Sequence, residues 1–214
     1  MGIQIIGSSG NIANVDAYKS GLRTGLASRA AQYSHAGMSG TLGAALAANS
    51  SVFAMRMSAS AGSTYKAYIE RVRIQWTTIV AFTTPITAGR RLALFRGAGA
   101  GTSGGTTLVP VKKDTSDAES MFLAASGGAN SISTTAALTV TGITFETNPL
   151  AVMSLTEVGA AGAYKDVTFD FVANGGGPIV LNQGELLAIR NPVVMDAAGT
   201  WQVAVNVDWY EGTV

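Results

Sequence analysis

Gly101-Thr102-Ser103-Gly104-Gly105 spells G-x-S-x-G, and Gly99, Gly101 and Gly104 of the same stretch satisfy G-x-G-x-x-G. The first pattern carries chemistry when a strand, a sharp turn and a helix present the serine to a histidine base. The second does so when a helix N-terminus follows and holds a pyrophosphate. Here the continuation is "GTTLVPVKK", β-prone and interrupted by Pro110, so neither helix is expected. The single histidine, His35, falls in a weakly patterned region and is expected at a surface or an interface. Asp114, Asp117 and Glu119 lack the spacing and the glycine of a calcium loop, so they read as a solvated loop and helix start. A glycosidase pair could be drawn from Glu157, Asp166 and Asp170, although Asp166 and Asp170 share the polar side of an amphipathic strand. A sugar-binding face stays open at this level. With no cysteine, disulfides, thiol nucleophiles and zinc-thiolate sites are excluded. No catalytic residue, cofactor or metal ligand is expected, and the chain is read as a non-enzyme.

The elements that would position any site are strands. "GTWQVAVNVDWYEGTV" alternates Trp201, Val203, Val205, Val207 and Trp209 against Gln202, Ala204, Asn206, Asp208 and Tyr210. That period of two marks a half-buried strand needing a second layer over its tryptophans. "YIERVRIQWTTIVAF" reads as a long strand with Tyr68, Val72, Ile74, Trp76, Val80 and Phe82 on one side and Arg71, Arg73, Gln75 and Thr77 on the other. Pro85 and Gly89 then suggest a hairpin into "RRLALFRG", which would gather Arg71, Arg73, Arg90 and Arg91 on one charged edge. Further strands are expected in "LTVTGITFET", in "YKDVTFDFVA" and on both sides of Asn182 to Gly184, giving about eight and an all-β sandwich or barrel. Ser116 and Glu119 have capping-box spacing and Gly127 suits a left-handed C-cap, so one short helix is expected between them.

The 214 residues carry a formal net charge of +1, with 13% charged side chains and 47% hydrophobic ones. That balance gives no electrostatic case for nucleic acid or an anionic membrane, and no run approaches the ~18 apolar residues of a membrane span. The N-terminus shows no secretory pattern, and Ile6 stands where a myristoylation signal wants Ser or Thr. A surface this poor in charge suggests either coverage by partners or an ordinary domain faced with Ser, Thr and Asn. Residues 1–63 are rich in Gly, Ala and Ser and hold four basic residues against one acid, whereas the remainder holds ten against twelve. We therefore expect an extended, mildly basic arm over 1–63 and a sandwich domain over 64–214, separable by deletion near Ser58.

"YIERVRIQWTTIVAFTTPITAGRRLALFRG", "VLNQGELLAIRNPVVMDAAGTWQVAVNVDWYEG" and "GNIANVDAYKSGLRT" together resemble virion structural proteins of tailed bacteriophages that pair an N-terminal arm with a jelly-roll sandwich. The resemblance runs from about Gly10 to Gly212 and is positional, with no catalytic motif. It implies a jelly roll with Trp76, Phe169, Phe171, Trp201 and Trp209 in the interior or an intersubunit seam. It further implies a head decoration or cement subunit on the virion, assembled in the host cytoplasm. The major capsid protein and a homotrimer of the chain itself are its implied partners, with neither nucleic acid nor membrane. Ile3, Ile5, Ile6, Val15, Tyr18, Leu22 and Arg23 would be the arm's contacts. A tail or head-fibre module binding receptor glycans through loops near 97–107 and 159–164 is the alternative.

Overall fold

The alternation of the last strand survives in three dimensions: Trp201, Val203, Val205, Val207 and Trp209 are all buried. The computed structural model describes residues 5–6, 12–15, 22–23, 31–43, 45–83, 89–99, 101–173, 176–196 and 198–213. In chain order the strands are β1 (Ile5–Ile6), β2 (Ile12–Val15), β3 (Leu22–Arg23), β4 (Ala31–Met38), β5 (Ser50–Arg56), β6 (Tyr65–Val80), β7 (Arg91–Gly99) and β8 (Thr106–Thr107). They continue with β9 (Val111–Lys112), β10 (Ala129–Ile132), β11 (Ile143–Phe145), β12 (Ala151–Ser154), β13 (Tyr164–Asp170), β14 (Ile179–Leu181), β15 (Glu185–Asn191) and β16 (Thr200–Thr213). β1, β2 and β3 form a small antiparallel meander with Ile5 opposite Ala13 and Val15 opposite Leu22. Ile3 and Tyr18 lie outside the described residues.

Two antiparallel sheets make the sandwich. One runs β13-β6-β16-β4, extended by β9 beside β4 and by β14 beside β6. The other runs β12-β7-β15-β5, extended by β10 and β8 beyond β5 and by β11 on the outer edge of β7. Followed along the chain, β4, β6, β13 and β16 belong to the first sheet and β5, β7, β12 and β15 to the second. Each sheet therefore interleaves early and late strands, which is the double Greek key of a jelly roll.

Between the sheets lies one continuous core. Trp76 and Trp201 stack at 4.2 Å between ring centroids, Trp209 stacks on Tyr33, and Phe122 meets the edge of Trp209. Truncating either ring of the Trp76–Trp201 stack to Ala costs about 3–5 kcal/mol by the behaviour of buried aromatics. Phe169 and Phe171, expected in the interior or an intersubunit seam, pack against the core but are only partly buried, because they belong to the edge strand β13 and the turn after it. β6 also departs from simple alternation. Its pairing with β16 skips Glu70 and Ile79, two bulges that reset the phase. Ala67 and Ile69 point inward before the first bulge, whereas Val72, Ile74 and Trp76 do so after it. Tyr68 and Val80 consequently sit outside, and Tyr68 stacks on Tyr210.

Three expectations need correction. Residues 31–63 are not part of an arm, because β4 and β5 are interior strands of the two sheets. β7 does not return beside β6 but crosses to the opposite sheet, where it pairs with β15, so the hairpin does not form. The helix expected after Ser116 shrinks to a 3₁₀ turn at Ala124–Ser126, closed by Gly127 in the left-handed conformation. Ser116 instead donates its backbone N and its hydroxyl to Asp114 Oδ1, and Glu119 pairs with Lys112. The capping-box letters serve a turn.

The two sheets differ on their outer faces. β5, β7 and β15 are nearly continuous buried runs because a second cluster, Ala54, Leu138, Leu186 and Ala188, covers the outside of their sheet together with Ile143 and Phe145. β13, β6 and β16 keep polar outer faces, and that is where the exposed functional groups gather.

Candidate functional site

On the outer face of the first sheet, register alone sets the arrangement. Thr168 lies opposite Arg73, and Arg73 opposite Asn206; one step along, Asp170, Arg71 and Asp208 form the next row. These rows line an open hollow of about 490 Å³ bounded by Arg71, Arg73, Asp166, Thr168, Asn206 and Asp208. Arg73 Nε donates to both oxygens of Asp166 at 3.0 and 3.1 Å, and Arg73 Nη2 also donates to Oδ2. Tyr164 and Gln75 add hydrogen bonds to the same carboxylate at 3.1 and 3.2 Å. Arg71 donates twice to Asp208 Oδ2, at 2.9 and 2.7 Å, while Lys113 pairs with Oδ1 at 2.8 Å.

This electrostatic arrangement opposes acid–base catalysis. The hydrogen bonds from Arg73 above all hold the Asp166 carboxyl down at about 2. Burial would raise Asp208, but the hydrogen bonds from Lys113 and Arg71 outweigh it and leave its carboxyl below the ordinary range. Glu157 is lowered by its hydrogen bond from Lys165, and Asp170 Oδ1 caps the backbone N of Val172 and Ala173. Asp166 and Glu157 are thus held ionised rather than protonated, as a glycosidase general acid must be.

The other candidates resolve equally plainly. Ser103 exchanges backbone hydrogen bonds with Thr139 in an isolated bridge, not a nucleophile elbow. His35, expected at a surface or an interface, is buried in the core on β4 against Phe53 and Trp209, its Nδ1 3.0 Å from Asn130 Nδ2. Burial lowers its imidazole to about 4. Asp117 Oδ2 accepts from the backbone N of Gln32, tying its loop to β4. Among the described residues no group of three metal-ligating side chains occurs. Arg90 leaves the arginine edge expected for it: it is buried and paired with Asp196, while Arg71 and Arg73 stay outside.

Glu211 escaped the sequence reading. The inward phase of β16 that carries Trp209 carries Glu211 next, so the signal was the alternation itself. Its Oε1 accepts from Ser120 Oγ at 2.6 Å and Trp209 Nε1 at 2.7 Å, and its Oε2 from the backbone N of Met121 at 2.9 Å. Burial raises its carboxyl despite these bonds, and Tyr65 beside it is pushed up to about 12, by burial first and then by the Glu211 charge. Bonded to Ser120, Met121 and Trp209 and away from solvent, this carboxyl fixes the 120–122 segment beneath the sheet.

No family model and no curated protein matches the sequence. Among solved structures, a chain of one described as "KBV activated particle at acidic pH" aligns over 84% of this chain and 69% of its own, with 10% identity and a TM-score of 0.25, a likeness too slight to bear on fold or function.

Proposed function

We propose that the chain is a non-enzymatic structural subunit of a virus particle, a decoration or cement protein of a tailed-phage head. The observation that carries this reading is a jelly roll filled through its centre by Trp76, Trp201 and Trp209, with a polar hollow on the open outer face of one sheet. Such a body presents surfaces. The major capsid protein is the proposed partner, gripped through the segment before residue 31 with Ile3, Ile5, Ile6, Val15, Tyr18, Leu22 and Arg23 as contacts. A homotrimer would multiply weak arm contacts by effective concentration.

A second reading, a tail or head-fibre module that binds glycans, has one observation in its favour. Thr168 and Asn206 lie in the hollow between the Arg73–Asp166 and Arg71–Asp208 pairs with no side-chain hydrogen bond among the described residues, free to meet sugar hydroxyls. Gold-labelled antibody against the sandwich, imaged on intact particles, separates the two. Label over the head supports decoration, and label confined to the tail or its tip supports the module. Particles without label, from a lysate containing the protein, would overturn both.

A further inference from the structure

Lys66, Asn182 and Glu185 meet at one end of the sandwich in an arrangement that neither the core nor the polar face requires. Leu181 of β14 lies opposite Ala67 of β6, so the next antiparallel step sets Asn182 beside Lys66 on the outer face. Lys66 Nζ donates to Asn182 Oδ1. On the other side of the carboxamide, Asn182 Nδ2 donates to Glu185 Oε2 at 3.0 Å, and the Asn182 backbone N donates to the same oxygen at 2.8 Å. The amine therefore faces the carbonyl side of the amide, and a carboxyl group grips its nitrogen.

All three residues stand on fixed backbone. Lys66 lies opposite Gly212 of β16, one residue before the Ala67–Leu181 pair that joins β6 to β14. Gly184 takes a φ of 73° to make the tight turn between Asn182 and Glu185, whose backbone carbonyl accepts from Met57 N at 2.9 Å. Each of the three side chains is half-buried, and the next pair along the same face is Tyr68 with Val180, Tyr68 being covered by Tyr210. Groups held this close on rigid elements react with high effective molarity.

We propose that Lys66 and Asn182 form an intramolecular isopeptide bond, with Glu185 as the proton carrier. Lys66 Nζ, as the free amine, adds its lone pair to Asn182 Cγ, and the carboxylate of Glu185 takes the proton released by that nitrogen. Glu185 returns the proton to Nδ2, the Cγ–Nδ2 bond breaks, and the old amide nitrogen leaves as ammonia. One amide C–N bond forms and one breaks, with no oxidant and no external group. The product is a covalent bridge from the start of β6 to the turn joining β14 and β15, and so between segments that lead into opposite sheets.

Intact mass spectrometry of the full chain under denaturing conditions tests this. The expected mass is lower than the sequence sum by one ammonia, and proteolysis is expected to yield a branched peptide containing both Lys66 and Asn182. Lys66→Arg and Asn182→Ala restore the full mass while circular dichroism keeps the β signature. Glu185→Gln, followed after refolding, cross-links at least about 100-fold more slowly, the lower bound for losing a positioned acid–base group. A full sequence mass for the native chain would overturn the proposal. So would an ammonia loss that persists in Lys66→Arg, which would assign it to succinimide closure at Asn174-Gly175.

Discussion

Arg90 and Asp196 form an ion pair at 2.6 Å with side chains only 7% and 2% exposed. Arg90 spends its other donors on the carbonyls of Leu155 and Thr156, and its guanidinium lies 4.7 Å from the Phe82 ring centroid. The pair stitches the entry of β7 to the segment before β16. Removing one partner leaves a buried charge without compensation, so Asp196→Ala is expected to cost about 3–5 kcal/mol. Replacing both partners with apolar residues, Arg90→Met with Asp196→Leu, is expected to cost less than the single change. Urea denaturation of the three proteins checks this, and a double variant weaker than the single would contradict it.

His35 makes stability depend on pH. Its imidazole titrates at about 4 in the folded chain against 6.5 when free, burial being the main cause and the Asp208 charge a partial opposing one. Between those values the unfolded chain binds a proton that the folded chain does not, so stability falls as pH drops from 6.5 to about 4. Below that the full loss, about 3 kcal/mol, has been incurred. Glu211 acts oppositely over the acid range, because its raised carboxyl favours the folded chain as pH falls. His35→Gln should therefore remove the His35 component alone, and unfolding curves taken from pH 7 to pH 4 for both proteins measure the difference. Parallel losses in the two would show that His35 is not responsible.

β16 and most of β6 are legible by alternation, and β7 and β15 by apolar runs beside turn residues, although both faces of these two are buried. β5 lacks such bounds, and Ala54 gives it an apolar outer face under a covering loop that erases the period of two. The Gly-, Ala- and Ser-rich stretch around it reads as an arm because small side chains suit a strand packed on both sides as well as they suit a loose tail. The two bulges at Glu70 and Ile79 displaced Tyr68 and Val80 from the face that spacing assigned them. Pairings made by topology were illegible in principle. Arg90 meets Asp196 across 106 residues and Lys66 meets Asn182 across 116, and no local pattern records either.

Gly105 shows why the G-x-S-x-G letters are present. Its φ is +69°, and a Cβ placed there would lie 2.2 Å from the Ile132 carbonyl oxygen of the adjoining strand, while a Cβ at Gly101 meets nothing within 4 Å. Gly105→Ala is expected to lower stability by about 1–3 kcal/mol through backbone strain and displacement of β10. Gly101→Ala should change it by less than about 0.5 kcal/mol, because the added methyl enters open space. Thermal unfolding of both variants decides; equal effects would mean that the loop is not shaped by contact with β10.

Truncation locates the boundary between the sandwich and what precedes it. A chain beginning at residue 31 retains every strand of both sheets, including β4 between β16 and β9 and β5 between β15 and β10. It is expected to unfold cooperatively with a midpoint close to that of the full chain and, on the proposed function, to lose binding to particles. A chain beginning after Ser58 lacks β4 and β5, so it uncovers Tyr33's partner Trp209 and the Ala188 face of β15. Stability of only about 5–15 kcal/mol in a domain does not survive the loss of two interior strands, so this shorter chain should show no cooperative transition. Calorimetry on the two truncations distinguishes the outcomes. A shorter chain that still melts cooperatively would return the boundary to residue 63, and a longer one that does not would make the first 30 residues part of the folded body.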